Sequence, residues 1–129
     1  MIENLTEEQL EAILETIPME ISFVDENDLV KLWNKHETRI FKRPLSAMGK
    51  TVQNCHPKYS VDKVNQLLSD FKSGKRDSAE FWINLEERKM YIRYFAVRDR
   101  AGRYLGTLEA TQDITGIKKI AGEKRVLEY

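Results

Sequence analysis

The sequence predicts an α+β domain, an antiparallel sheet with helices against one face. Three observations carry that prediction. Residues 81–111 hold three runs in which apolar and polar side chains alternate, separated by short turns. Two shorter runs rich in Ile, Val, Phe and Trp, at 21–25 and 29–34, flank the turn residues Glu26-Asn27-Asp28. Two further segments, around Leu10–Ile17 and Val61–Phe71, place apolar residues at helical spacing.

In chain order, Thr6 and Gln9 have the spacing of a capping box. Leu10, Ile13, Leu14 and Ile17 then form one apolar stripe, and Pro18 stops the helix. The stripe must cover a sheet or a second subunit. After the first hairpin, residues 35–59 have broken periodicity and two prolines, which fits short helical turns and loop. Ser60 is a candidate cap for the next helix, with Asp62 near its positive end. Val61, Val64, Leu67, Leu68 and Phe71 would be its buried stripe, and Gly74 its stop.

The last three runs carry a register prediction. A turn over Glu86–Lys89 sets Ile83 opposite Ile92 and Trp82 opposite Arg93, and the next strand then sets Arg93 opposite Glu109. One face would be apolar (Phe81, Ile83, Leu85; Ile92, Tyr94, Ala96; Leu108, Ala110) and would face the helices. The other would carry a Trp82-Arg93-Glu109 row, held by cation–π and ion-pair contacts. A slip of one residue exchanges the two faces.

The bulk numbers narrow the function. With 129 residues, 41% hydrophobic and 33% charged, the chain fits one domain with one core. A net charge of zero gives no electrostatic reason for binding nucleic acid or an anionic membrane, and neither is expected as a partner. The single cysteine, Cys55, excludes an internal disulfide and suits a reducing compartment. The acidic N-terminus is unlike a signal peptide, and no apolar run approaches the ~20 residues of a membrane helix. The expected location is cytoplasmic.

The helix–hairpin–broken-helix–helix–three-strand order, SFVDENDLVKLWNKHETRIF early and YLGTLEATQDITGIKK late, resembles a PAS domain from about Pro18 to Lys119. The middle segment, VQNCHPKYSVDKVNQLLSDFKSGKRDSAEFWI, is similar to a PAS subfamily found C-terminal to hemerythrin-like cation-binding domains. The resemblance implies a five-stranded antiparallel sheet with short helices on one face, an internal pocket, and dimerisation through terminal helices. It divides 1–129 into a flanking helix (1–17), a PAS core (18–113) and an output helix (114–129), as a stand-alone module or a fragment. One fold hosts many functions, so the site must decide.

Asp113-Ile114-Thr115 is the candidate signal junction, where Asp113 or Thr115 caps the following helix and Ile114 anchors it. Ile117, Ile120 and Leu127 give that helix only a thin apolar seam. Leu10, Ile13, Leu14 and Ile17 are the candidate homodimer surface. The candidate pocket is lined by Phe81, Ile83, Ile92, Tyr94, Leu108 and Ala110 from the sheet. Val52, Cys55, Val64 and Leu68 lie opposite, and Tyr94 and His56 are the polar contacts. Such a lining suits an apolar or aromatic ligand, and close packing of the same side chains is the competing outcome.

One cysteine and two histidines cannot supply the four ligands of a structural zinc site. A single axial histidine can hold haem, and His56 is better placed than His36. Gly49-Lys50-Thr51 resembles the end of a phosphate loop, but Pro44 stands where that loop needs glycine. No nucleophile–base set emerges, so the expectation is a sensory or interaction module and not an enzyme. The alternatives are a haem sensor using His56 and a dimerisation module without a small ligand.

Overall fold

The computed structural model describes residues 1–128. The chain runs through α1 (Glu7–Thr16), β1 (Glu20–Asp25), β2 (Val30–Trp33), 3-10 turns at Leu45–Ala47 and Val52–Cys55, α2 (Lys58–Ser73), β3 (Ser78–Leu85), β4 (Arg88–Arg98) and β5 (Tyr104–Asp113). The fold class is the expected α+β one. The five strands form one antiparallel sheet in the order β2-β1-β5-β4-β3, so the last strand lies at the centre, between the first hairpin and β4. Among the described residues no helix is long and apolar enough to cross a membrane.

The capping box at α1 is present in both directions, Gln9 N–H to Thr6 Oγ1 and Thr6 N–H to Gln9 Oε1, each at 3.0 Å. α2 begins before Ser60: its N-cap is Pro57, and the Ser60 hydroxyl donates back to the Pro57 carbonyl. A proline offers no capping side chain, which is why serine looked like the start. Gly74 ends α2 in the left-handed region at φ 79°, as expected. Leu68 and Phe71 of the predicted stripe are buried, while Val61, Val64 and Leu67 are half-buried.

Both predicted registers move, for separate reasons. Leu85 pairs with Arg88, so the β3–β4 turn has only Glu86 and Glu87 in it, not four residues. Glu86 takes a positive φ of 57° that asparagine or glycine would have advertised. The shorter turn shifts the pairing by two, setting Phe81 opposite Ile92 and Trp82 opposite Tyr91, and leaves the faces unchanged. Between β4 and β5 the shift is one residue. Arg98 pairs with Tyr104 but Val97 pairs with Gly106, so Leu105 is an extra residue on β5. From there Arg93 faces Ala110 and Tyr94 faces Glu109.

That bulge turns β5 over. Thr107, Glu109 and Thr111 join the inner face, and Leu108 and Ala110 go to the outer face with Ile21 and Phe23 of β1. The expected Trp82-Arg93-Glu109 row therefore does not form. Arg93 instead lies over the rings of its own strand, 4.9 Å from Tyr91 and 5.6 Å from Phe95. Gly106 is required at the crossing with β1, because a Cβ there would overlap the Val24 carbonyl oxygen and the Phe23 ring.

A continuous helix over 114–129 is also absent from the described residues; the chain makes one 3-10 turn at Ile117–Lys119 and then runs exposed. Gly122 has a φ of 66°, and nothing packs on the thin seam of Ile117, Ile120 and Leu127. A short helix without packing is marginal in water.

Candidate ligand pocket

β1 and β2 place Ser22, Val24, Val30 and Trp33 on the inner face of the sheet, where β5 adds Thr107 and Glu109 and β4 adds Tyr94. The two 3-10 turns and α2 stand off this face and leave a cavity of about 820 Å³. A pocket of this size falls in the range of small-ligand sites.

Of the residues expected to line it, Val52, Cys55, His56, Val64, Leu68, Phe81 and Tyr94 are brought together around this cavity. Ile92 lies on the same sheet face, buried in the core away from the opening, and Ile83 lies on that face near the β3 end. Leu108 and Ala110 are corrected to the opposite face by the bulge at Leu105. Phe81 borders the opening and is 47% exposed, with its ring stacked at 6.3 Å on Tyr94. Cys55 is exposed, and its thiol lies 3.5 Å from the Thr51 carbonyl.

The sequence reading missed the polar end of the pocket. Arg43 Nη2 donates to Glu109 Oε1 at 3.0 Å, across the cavity wall. Arg43 is carried there by a buried anchor: Arg39, only 2% exposed, donates to the carbonyls of Phe41, Ile21 and Asn34 and lies 3.7 Å from the Glu20 carboxylate. Glu20 in turn accepts the backbone N–H groups of Ile40 and Phe41. Every strong donor of the buried guanidinium thus has a partner, as burial of a charge requires. Asn34 closes the same network, accepting from Ile21 N–H at 2.7 Å and donating to the Leu14 and Met19 carbonyls, which ties α1 to the sheet. The signal was an arginine and a glutamate beside apolar strands, with nothing in the spacing to pair them.

Tyr94 sits across the strand pair from Glu109. Burial, and then the Glu109 charge, holds its phenol well above the usual range, with Arg43 opposing. Its hydroxyl therefore keeps its proton, and, unlike the Tyr104 hydroxyl, which meets Thr107 Oγ1, it has no hydrogen-bond partner among the described residues. His56 Nδ1 donates to the Val52 carbonyl at 2.9 Å, leaving Nε2 as the ring's acceptor. His36 accepts from Trp33 Nε1 at 2.9 Å, and it is exposed outside the cavity.

At the far end of β5, Asp113 accepts from both the Thr115 hydroxyl and the Thr115 N–H. The same hydroxyl accepts from Lys89 N–H, and Ile114 N–H donates to the Lys89 carbonyl. The candidate junction is thereby locked to the start of β4.

A family model described as a PAS domain matches residues 10–115. The chain belongs to the PAS domain family. Solved structures agree with this. The C-terminal domain of a Streptococcus mutans protein is 35% identical, with 91% of each chain covered and a TM-score of 0.85. The PAS domain of Bordetella pertussis BvgS shares the fold at 18% identity, with 84% of this chain and 85% of that one covered and a TM-score of 0.61. A sensory box sensor histidine kinase from Vibrio cholerae does so at 14%, with 82% and 89% covered and a TM-score of 0.58. No curated protein matches the sequence. PAS domains are typical sensory modules of signalling proteins, and the pocket described above lies between the sheet and the helices of this one.

Proposed function

We propose that this PAS domain is a cytoplasmic sensory module that binds a small ligand with an apolar or aromatic body. It relays occupancy through Asp113-Ile114-Thr115 and works as a homodimer through α1. The observation that carries the reading is the cavity of about 820 Å³ with an uncommitted phenol, Tyr94, in its wall. Cys55, His56 and Ser60 border the cavity, but each is hydrogen-bonded to a backbone carbonyl, of Thr51, Val52 and Pro57 respectively, and not to one another, which favours binding over nucleophilic chemistry. Occupancy would press on β4 and β5, whose ends hold the junction. Support for the dimer is the apolar stripe of α1, where no side chain is fully buried and Ile13 is 45% exposed.

Native mass spectrometry of freshly purified protein tests both parts. The reading expects a dimer mass and a ligand adduct, with the adduct lost in Ala79→Trp, which fills the cavity beside Tyr94. Ile13→Lys should return the monomer. A dimer with no adduct and no ligand response would leave a dimerisation module without a small ligand.

One observation favours a second reading, a haem sensor. The Nδ1–Val52 bond holds the ring of His56, a cavity-lining residue, and leaves its Nε2 without a hydrogen-bond partner among the described residues, as an axial ligand needs. Haem there would supply a redox- or gas-responsive centre, held by His56. Reconstitution decides it: a Soret band lost in His56→Ala supports haem, and no Soret band rules it out.

A further inference from the structure

The polar atoms of the pocket are not all available to a ligand, and the ones left over have a pattern. Thr107 is engaged by the Tyr104 hydroxyl at 2.8 Å, Ser22 receives Arg39 at 3.5 Å, and His56 Nδ1 is held by Val52. Glu109 Oε1 takes both Arg43 and the Thr111 hydroxyl. On the inner face of β4 and β5 two atoms remain, on directly paired residues: the Tyr94 hydroxyl, a donor, and Glu109 Oε2, an acceptor; Ser46, Asn54 and His56 border the cavity from the 3-10 turns opposite. Neither of the two sheet atoms has a protein partner among the described residues, and neither is sealed from solvent, unlike Arg43 Nε.

We infer that the pocket selects a neutral, planar ligand whose edge carries a hydrogen-bond acceptor next to a donor, as the carbonyl and N–H of a lactam ring do. The inference rests on the pocket reading above and names its ligand class. Tyr94 donates to the ring carbonyl, and the ring N–H donates to Glu109 Oε2. Arg43 already neutralises Glu109, so the pair presents little net charge; an anion there meets the carboxylate and a cation meets the guanidinium. Lys42, Lys50 and Lys63 also border the cavity, but all three are exposed, where solvent and salt screen them. The Phe81 and Tyr94 rings, 23° apart, give a flat wall against which a planar ring can lie. The cavity of about 820 Å³ has room for a bicyclic ring.

Calorimetric titration with three probes tests this: 2-quinolone, its N-methyl derivative, which lacks the donor, and 2-naphthoate, which is an anion. The expectation is that 2-quinolone binds about tenfold or more tightly than either comparator, the range of one hydrogen bond to a charged acceptor. Tyr94→Phe should weaken 2-quinolone about tenfold, with near-UV circular dichroism confirming the fold. Glu109→Gln frees Arg43 and should shift the preference toward 2-naphthoate. Equal binding of the N-methyl compound, tighter binding of 2-naphthoate to the wild type, an unchanged Tyr94→Phe, or no binding of any probe at about 1 mM each overturns the inference. The pocket reading fails separately, only if ligands of every charge class leave the cavity residues undisturbed.

Discussion

Arg43 reaches Glu109 at 3.0 Å, joining the loop after β2 to the centre of the sheet across 66 residues of chain. The contact exists because two other things happen first. The Arg39–Glu20 anchor pins the loop, and the bulge at Leu105 turns Glu109 inward.

The two arginines should therefore differ in weight. Arg39→Met strands a buried Glu20 and three carbonyls and should cost about 3–5 kcal/mol. Arg43→Met breaks a pair whose side chains are 25% and 20% exposed and should cost about 1 kcal/mol. Urea unfolding of both variants checks the ranking, and an Arg43→Met loss equal to that of Arg39→Met would contradict it.

Gly106→Ala drives a methyl group into the Val24 carbonyl and the Phe23 ring and should destabilise by about 2–3 kcal/mol. Gly102 has a φ of 88° in open space, so Gly102→Ala pays only for the backbone, about 1 kcal/mol. Thermal unfolding of the two variants separates close approach from turn strain.

Asp113 should titrate below its ordinary value of 3.8, because the Thr115 hydroxyl, then the Thr115 N–H, hydrogen-bond the carboxylate, with Arg88 adding a favourable charge. A depressed carboxyl contributes its stability fully above 3.8 and loses it as pH falls through the lower folded value. Carboxyl-carbon NMR should show the depressed midpoint, and Thr115→Val should return it toward 3.8. A wild-type midpoint at or above 3.8 would mean the lock on the junction is not formed in solution.

The five strands, α1 and α2 were legible because periods of two and about 3.6 are written along the chain, and the Thr6–Gln9 box is a local signal, whereas the thin seam after Asp113 reads as a helix that does not form among the described residues. The faces of β5 were not legible. A bulge changes which side every later residue points to, and Leu105 bears no mark of it. On β1 the more apolar pair, Ile21 and Phe23, is the one that faces away from the pocket, which misleads any reading by hydrophobicity alone. Seven pocket residues on the turns, α2, β3 and β4 were nonetheless found, because all of them precede the bulge at Leu105 in the chain and none has its facing set by it. Arg43 and Glu109 were beyond reach, since their meeting depends on tertiary contacts that neither sequence neighbourhood encodes.

The central claim is that the cavity under the sheet is a ligand site. A fragment titration followed by amide NMR tests it most directly. The account predicts shifts clustered at Tyr94, Phe81, Val64 and Leu68, saturable and lost in Ala79→Trp. Fragments of neutral, anionic and cationic character that all leave those four amides unmoved would contradict it.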